Sequence, residues 1–247
     1  MARAPIDLAK ALEQHRGYEQ VLQQFGAKVI SLPAESALAD SMFVEDPAMV
    51  LDEVALIFPL GTASRRAEAA SLAKILAKFR ELKYVQLPGA AEGGDILRVE
   101  RHLFAGLSKR TNEDGIRQLQ SIVGEYDYTV TAVPVSGCLH LKSAVTFLGR
   151  NTLLANRKWF HASCMPGFDW IDVAPEEPHA ANALSFGDTV ILPATFPLTR
   201  VRIEARGFKV LPLDISELQK AESGLTCSSL LFEAKTFPGQ NETLRRR

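Results

Sequence analysis

The chain has 247 residues, of which 47% are hydrophobic and 23% are charged. That length suffices for one domain with a substantial core or for two small ones, and we expect one domain over residues 1–247 with a polar tail from about residue 235. The formal net charge of −1 argues against a broad nucleic-acid-binding surface, and no apolar run approaches the roughly 18–20 residues of a membrane helix.

Cysteine use and the N-terminal sequence indicate the compartment. The three cysteines, Cys138, Cys164 and Cys227, are an odd and sparse set, which is typical of free thiols in a reducing compartment. The N-terminus has no apolar core of the secretory type. We therefore expect a cytoplasmic protein whose partners include neither a membrane nor a nucleic acid.

The first predicted element is an amphipathic helix from Asp7 to Phe25, because apolar residues recur at helical spacing until Gly26, which acts as a stop signal. A strand is predicted next, at 27–34. Further helices are predicted at 64–79, 112–123 and 198–206, with a weak helical segment near 159–164. The strands that follow these segments are predicted at 84–88, 128–135, 208–215 and 170–175.

One local pattern occurs five times: a polar cluster, an apolar strand, a turn and a second apolar strand. The five copies span 43–58, 92–107, 139–156, 179–194 and 225–234. Their anchor residues are about 40 to 50 residues apart, a spacing typical of stacked or radial repeats. These anchors are Asp46, Asp95, Lys142, Asn182 and Cys227.

With its helix and last strand, each copy becomes a strand, strand, helix, strand unit, which predicts an α/β fold of five radial blades. The fifth unit is split, since its first strand lies at 225–234 and its helix and last strand lie at 7–34. Such sharing of one blade by the two chain ends closes a ring and removes open sheet edges. The closing blade has no obvious second strand, so we expect it to be incomplete at the N-terminus.

In a radial arrangement the five polar clusters converge, and Cys227, His140 and Glu92 become candidates for catalysis. A thiol acts as a nucleophile in its thiolate form and needs a base or positive charge nearby. His140, predicted to lie on a strand, has the near-neutral pKa of a general acid or base. Glu92 could orient that imidazole, as the third member of a triad does. Cys138 and Cys164 are interpreted as small buried hydrophobic residues.

An acidic group around Phe43 is a candidate cation site. Asp40, Glu45 and Asp46 offer carboxylates, which match a guanidinium in paired hydrogen bonds, although a solvated loop explains them equally well. Two arginines, Arg65 and Arg110, each follow a second strand and could bind a substrate carboxylate. His161 and Cys164 form an HxxC pair without a second pair, and no glycine-rich phosphate loop is present, so we expect no metal and no cofactor.

Several motifs in one order make the chain resemble the dimethylarginine dimethylaminohydrolases, members of the guanidine-modifying (pentein) superfamily. The resemblance covers about residues 5–232. It is carried by DSMFVED (40–46), SRRAE (64–68), EGGD (92–95), GLSKRTN (106–112), CLHLKSA (138–144), EPHAAN (177–182), SELQKAE (216–222) and LTCSS (225–229). It implies a five-bladed α/β propeller and hydrolysis of Nω-methylated arginine to citrulline and an amine.

The resemblance also implies residue roles. Cys227 matches the nucleophile, His140 the general acid/base and Glu92 the residue that orients it. The substrate-binding positions of the family fall on Asp40, Phe43, Glu45, Asp46, Arg65, Arg110 and Ala221. By this resemblance, Asp46 would pair with the substrate guanidinium and the two arginines would bind the substrate α-carboxylate. The backbone at Ala221 would contact the substrate.

The N-terminus departs from the family pattern, because family members begin with an extra strand and a mobile loop that covers the substrate. For this chain we expect an open pocket, weaker binding and an unpaired strand edge near 230–232. A partner subunit in a homodimer, or the C-terminal tail, could cover that edge.

Three alternatives remain open at this point. One is another guanidine-modifying enzyme, such as an arginine deiminase or an amidinotransferase, although the added helical domain usual in arginine deiminases is not visible. The second is a non-catalytic binding protein of the same fold, and the third is a truncated enzyme that turns over poorly. Substrate profiling separates the first alternative from a methylarginine hydrolase.

Overall fold

The computed structural model describes residues 5–234 of the chain, which form mixed α/β structure. The helices are α1 (Leu8–Gln24), α2 (Ala69–Leu76), α3 (Glu113–Gly124), α4 (Leu141–Ala144), α5 (Pro197–Glu204) and α6 (Ser216–Gln219). The strands are β1 (Ala48–Val50), β2 (Val54–Ile57), β3 (Glu81–Tyr84), β4 (Ile96–Val99), β5 (His102–Leu107), β6 (Thr129–Pro134), β7 (Val145–Gly149), β8 (Thr152–Ala155), β9 (Asp169–Asp172), β10 (Leu184–Phe186), β11 (Thr189–Pro193) and β12 (Lys209–Leu213). Within the described residues, no helix is both long and apolar enough to cross a membrane.

Four three-stranded sheets repeat one topology. Their strand orders are β1-β2-β3, β4-β5-β6, β7-β8-β9 and β10-β11-β12. In each sheet the first strand is antiparallel to the second, and the second is parallel to the third. In the first sheet, for example, Leu56 of β2 pairs with Met49 on one side and Lys83 on the other. The repeated unit predicted from the sequence is confirmed for these four copies.

The parallel step in each unit requires a crossover, and three of the four crossovers are the predicted helices α2, α3 and α5. Helix α3 begins after Asn112, whose side chain accepts a hydrogen bond from the Gly115 amide, and it buries Ile116, Leu119 and Val123 on one face. The third unit uses a short 3-10 turn at Ala162–Cys164 instead. This turn agrees with the weak helical pattern of that segment.

Apolar clusters form between units, not only within them. One cluster joins Phe104 of the second unit to Val145 of the third, and another joins Leu154 of the third unit to Val190 of the fourth. Helix α1 packs on the fourth unit through Tyr18 and Leu22. Consecutive units therefore share their cores.

The predicted strands of the fifth unit are wrong, because within the described residues neither 27–34 nor 225–234 forms a strand. A 3-10 turn occupies Thr226–Ser228, and Leu230 and Phe232 pack against the first unit. A strand is defined by its hydrogen-bonded neighbour, and among residues 5–234 no strand pairs with either segment. The predicted tail at 235–247 lies outside the described residues.

Two smaller corrections concern strand positions. The predicted strand at 84–88 is β3, which ends at Tyr84 because its partner strand β2 ends at Ile57, opposite Tyr84. His140 does not lie on a strand as predicted; its extended backbone forms the N-cap of the short helix α4. This position places its side chain in a turn before β7.

Candidate active site

A polar turn precedes the first strand of each of the four units, and a fifth polar turn lies at Thr226–Ser228. Hydrogen bonds join each of these turns to the next. The Gly93 amide donates to the Asp46 carbonyl (2.9 Å), and the Leu141 amide donates to the Asp95 carboxylate (2.9 Å). The Asn182 amide group donates to the Lys142 carbonyl (3.0 Å) and accepts from the Thr226 amide (3.1 Å), while the Glu45 amide donates to the Cys227 carbonyl (3.3 Å). The five predicted anchor turns therefore lie side by side.

His140 and Glu92 form a buried pair at this place. His140 Nε2 lies 2.7 Å from Glu92 Oε2, and the Glu92 side chain has no exposed surface. Burial by itself would lower the pKa of His140, but the hydrogen bond to Glu92 and the charges of Asp46 and Asp95 outweigh it and raise that pKa to about 9. Burial opposes ionisation of Glu92 as well, yet the bond to His140 and its charge leave the Glu92 pKa below its usual value.

Cys227 lies in the 3-10 turn Thr226–Ser228, not at a strand start as predicted. Its Sγ accepts a hydrogen bond from the Gly224 amide (3.3 Å). Burial, together with the charge of Glu45, raises the pKa of the Cys227 thiol to about 12. In the free protein at neutral pH this thiol is protonated.

Glu45 is a buried carboxylate next to the cysteine turn. It accepts a hydrogen bond from the Thr226 hydroxyl (2.7 Å) and forms an ion pair with Lys142. Its backbone amide bonds the Cys227 carbonyl, as described above. Glu45 thus ties the cysteine turn to the first unit, through both its backbone and its side chain.

Asp46 lies between the imidazole and a buried arginine. Its Oδ1 is 3.9 Å from His140 Nδ1, and its Oδ2 accepts from Arg65 Nη1 at 2.9 Å. The rest of the Arg65 guanidinium is held by Glu68, at 2.8 Å from Nη2 and 3.0 Å from Nε. Asp40 is more distant, 3.7 Å from Arg65 Nε, and the Phe43 ring lies 5.8 Å from the guanidinium carbon.

Arg110 is partly exposed beside Glu92. Its Nη1 donates to the Thr62 hydroxyl (2.5 Å) and lies 3.4 Å from Glu92 Oε1. The structure therefore brings Arg110 next to the catalytic candidates. Ala221 is not joined to them by any hydrogen bond within the described residues; it lies in the turn after α6, where its amide donates to Leu218.

Sequence reasoning missed several residues that hold the site together. Glu68 could have been found, since it lies three residues after Arg65, a helical spacing suited to an ion pair. Thr62 and Thr226 had no such local signal, and Asn182 was identified only as the anchor of the fourth repeat, without an assigned role. Asp95, noted among the converging polar residues, is fully buried and accepts from the Leu141 amide and from Ser108 and Thr111 hydroxyls, while burial raises its pKa.

Charged side chains are concentrated in this region. Five buried carboxylates, those of Glu45, Asp46, Glu68, Glu92 and Asp95, lie beside four basic side chains, those of Arg65, Arg110, Lys142 and His140. Asp46, Glu92 and His140 also offer ligand atoms within 4.8 Å of one another, a spacing that a metal ion could use. Carboxylates can equally pair with a guanidinium.

A cavity of about 620 Å³ lies elsewhere, between α2 and the β2–β3 edge of the first sheet. It is lined by alanines of α2 and by Leu82 and Tyr84, and it contains none of the predicted catalytic residues. Its lining is mostly apolar, with Arg66, Lys74 and Tyr84 as its polar side chains, and it includes no cysteine or histidine.

Comparison with known proteins identifies relatives of this chain. A family model described as N,N dimethylarginine dimethylhydrolase, eukaryotic, matches residues 3–157. The N(G),N(G)-dimethylarginine dimethylaminohydrolase of Pseudomonas aeruginosa is 36% identical over 228 residues, which cover 92% of this chain and 90% of the relative. The enzyme of the same name from Streptomyces coelicolor is 34% identical over 230 residues, covering 92% and 88% of the two chains.

Solved structures extend the likeness to the fold. A cysteine-to-serine mutant of the Pseudomonas aeruginosa enzyme, complexed with citrulline, has a TM-score of 0.88 at 34% identity and covers 94% of this chain and 92% of that chain. On the strength of the matched family model, the sequence identity and the shared fold, the chain belongs to the dimethylarginine dimethylaminohydrolase family of C–N hydrolases.

Proposed function

We propose that the chain hydrolyses asymmetric dimethylarginine and monomethylarginine to citrulline and dimethylamine or methylamine. The observation that carries the proposal is the buried His140–Glu92 pair, 2.7 Å apart, in a carboxylate-rich region shared with Cys227. Support also comes from relatives, since the Pseudomonas aeruginosa enzyme bears this activity as its name and was solved with citrulline.

In the first half of the reaction, Cys227 attacks the guanidinium carbon of the substrate. A thiol with a pKa of about 12 loses its proton more readily when a cation lies next to it, because the cation stabilises the thiolate. Substrate binding therefore creates the nucleophile and releases the thiol proton to solvent. His140, protonated at neutral pH because its pKa is about 9, donates its proton to the departing amine.

In the second half, a thiouronium adduct on Cys227 is hydrolysed. His140, now neutral, accepts a proton from water, and the hydroxide formed attacks the adduct carbon. The carbon–sulfur bond breaks, the added hydroxyl group gives its proton to the departing sulfur, and citrulline is released as the Cys227 thiol is restored. Glu92 holds the imidazole in one orientation throughout and stabilises its charged form. No metal ion or cofactor is required by these steps.

Substrate recognition is assigned to the charged groups around the nucleophile. Asp46, with Glu45 and Asp40 beside it, pairs with the guanidinium, and Phe43 packs against it. Arg110 binds the α-carboxylate. Arg65 can bind the same α-carboxylate, because Asp46 and Glu68 use three of its five N–H groups and leave two for the substrate. Ala221 contributes a backbone contact.

The same proposal includes closure of the five units into a five-bladed α/β propeller that forms one catalytic domain. Two observations support it. The hydrogen bonds between the polar turns run from the first unit through the fourth to Thr226, and return from Cys227 to Glu45. The core around α1 includes the fourth unit, and the core of the first unit includes Leu230 and Phe232.

The test is citrulline formation from asymmetric dimethylarginine by the wild type, Cys227→Ser and Cys164→Ser. Cys164 is a matched control, because it is also half-buried and also lies in a 3-10 turn. We expect citrulline from the wild type and Cys164→Ser, and none above background from Cys227→Ser. A folded wild type that forms no citrulline from either methylated arginine, or that prefers arginine or agmatine, would overturn the proposal.

A further inference from the structure

Asn182 makes an unusual set of contacts for a residue outside the predicted site. It precedes β10, and only 7% of it is exposed. Its side-chain oxygen accepts from the Thr226 amide (3.1 Å), and its Nδ2 donates to the Thr226 hydroxyl (3.0 Å) and to the Lys142 carbonyl (3.0 Å). The carboxamide is therefore bound on both its oxygen and its nitrogen.

The direction of these bonds is determined by their neighbours. The Thr226 hydroxyl has one proton, and it donates this proton in a hydrogen bond to the Glu45 carboxyl oxygen (2.7 Å). The hydroxyl oxygen must then accept from Asn182, which orients Nδ2 toward it and Oδ1 toward the Thr226 amide. An aspartate at this position would keep the acceptor but lose both donated bonds, so the carboxamide chemistry is specific.

Asn182 touches both turns that carry the reacting groups. Thr226 is the residue before Cys227, and Lys142 lies two residues after His140 in the turn that begins with that histidine. Asn182 also packs on Gly224, where an added Cβ would come within 2.4 Å of its Cγ and Oδ1. The Gly224 amide is the group that donates to Cys227 Sγ.

From these contacts we infer that Asn182 is a positioning residue, which holds the Cys227 turn in register with the His140 turn and keeps the Gly224 amide on the sulfur. The inference rests on the proposed function, because it assigns Asn182 a part in the same reaction. Within the described residues Asn182 forms no hydrogen bond with the Cys227 sulfur, so its effect reaches the chemistry through Thr226 and Gly224. Displacing catalytic groups by about 1 Å costs on the order of a hundredfold in rate.

Asn156 is the matched control. It is 8% exposed, follows β8, donates from Nδ2 to the Pro178 carbonyl (3.0 Å) and accepts from the Lys158 amide (3.3 Å). Its burial and its bonds to backbone groups resemble those of Asn182, but its side chain forms no hydrogen bond with either reactive turn within the described residues. Its backbone amide donates to the Ala144 carbonyl at the end of the His140 turn (2.8 Å), and a side-chain substitution keeps this bond. A loss of stability or activity that follows from removing any buried asparagine should therefore appear in both Asn182→Ala and Asn156→Ala.

The experiment compares wild type, Asn182→Ala, Asn182→Asp and Asn156→Ala by kcat and KM for asymmetric dimethylarginine and by thermal unfolding. For both Asn182 variants we expect kcat to fall about 10- to 100-fold, with KM changed less than about threefold, because substrate contacts remain. Asn156→Ala should lose a similar amount of Tm and keep its kcat.

A second readout does not need turnover. The rate of iodoacetamide alkylation at Cys227, followed by peptide mass spectrometry as a function of pH, should shift to higher pH in the Asn182 variants, because the sulfur loses a hydrogen bond that favours the thiolate. It should not shift in Asn156→Ala. If the Asn182→Ala and wild-type alkylation profiles coincide, the inference is wrong, whether or not the protein forms citrulline. If the alkylation profile of the Asn182 variants is shifted but the wild-type protein forms no citrulline, the inference about Asn182 holds and only the proposed function fails.

Discussion

Glu92 has no exposed side-chain surface, and its two oxygens receive hydrogen bonds from His140, the Gly61 amide and Arg110. A buried carboxylate is costly unless such partners compensate the lost hydration. These partners belong to three separate segments of the chain. Glu92 therefore determines the charge of His140 and ties the arginine turn to it.

Replacing Glu92 by glutamine should lower the pKa of His140, because the hydrogen bond to the carboxylate and the carboxylate charge raise it. The imidazole would then be less often protonated at neutral pH and less firmly oriented, and we expect kcat to fall about 10²- to 10⁴-fold. NMR titration of the His140 ring measures the first effect and citrulline formation the second.

The control is Glu177→Gln, a buried carboxylate that binds the Leu198 and Thr199 amides away from the site. It should leave the His140 titration in place. An unchanged His140 titration in Glu92→Gln would contradict the assigned role of Glu92.

Glu68 competes with Asp46 for the Arg65 guanidinium. In Glu68→Gln, Arg65 loses a charged partner and should pair more closely with Asp46, which then offers less negative charge to a substrate cation. We expect KM for asymmetric dimethylarginine to rise about tenfold, the size of one charge-assisted hydrogen bond, with kcat little changed. Steady-state kinetics test this, with Glu81→Gln, a change in a surface ion pair to Lys83, as the control. A drop in kcat at constant KM would count against it.

At the scale of the element, helix α3 shows how a cap and a site are connected. Asn112 caps the helix through the Gly115 amide (2.8 Å), and the same Oδ1 accepts from the Ala90 amide (3.0 Å). Its Nδ2 donates to the Pro88 carbonyl (2.9 Å). The loop held in this way leads directly to Glu92.

Asn112→Ala should therefore cost more stability than an ordinary N-cap. We expect the free energy of unfolding to fall by about 2 kcal/mol, the upper part of the range for N-cap substitutions. Urea denaturation measures it. Asp7→Ala, at the exposed cap of α1 with one bond to the Lys10 amide, is the comparison and should cost about 0.5–1 kcal/mol. Equal losses of unfolding free energy in the two variants would show that the contacts of Asn112 with the 88–90 loop add nothing to stability.

At the scale of the whole molecule, the candidate site brings together residues that are far apart along the chain. The first unit supplies Glu45 and Asp46, the second Glu92 and Asp95, and the third His140 and Lys142. Ionisation in this region therefore changes the stability of the assembled fold. His140 is the group whose pKa, raised to about 9, lies within an accessible range.

A histidine with a raised folded-state pKa stabilises the fold fully below its ordinary value near 6.5, and this contribution is lost as pH rises through about 9. We expect the free energy of unfolding to fall by on the order of 2–3 kcal/mol between pH 6 and pH 10 because of His140. The Glu92 contribution has the opposite sign: its lowered pKa gives stability that is present above the ordinary carboxyl value and is lost toward acid.

Urea denaturation across this pH range should show the alkaline loss in the wild type and in His161→Asn, a change at an exposed histidine. The loss should be smaller in His140→Asn and confined to the upper end of the range, where the Cys138 and Cys227 thiols, with pKa values raised to about 12 by burial, also destabilise the fold. Parallel pH profiles for wild type and His140→Asn would exclude His140 as its source.

Much of the architecture could be predicted from local sequence. The central strands β2, β5, β8 and β11 are apolar runs between turns, and the structure buries nearly all of their residues. Helices α1, α3 and α5 lie within two residues of their predicted ends. The periodic position of Cys227, His140 and Glu92 marked them as candidates before any fold was known.

The sequence by itself determined the repeated unit, the buried central strands and the set of polar turns, because periodicity and turn residues act between neighbours along the chain. Only the tertiary structure decided that 27–34 and 225–234 form no strand, since strand formation depends on a partner that local sequence does not specify. It also decided that Thr226 binds Glu45 and Asn182, which are 181 and 44 residues away. Such partners are set by which distant groups the packed units bring within hydrogen-bonding distance, where burial makes an unpaired polar group costly.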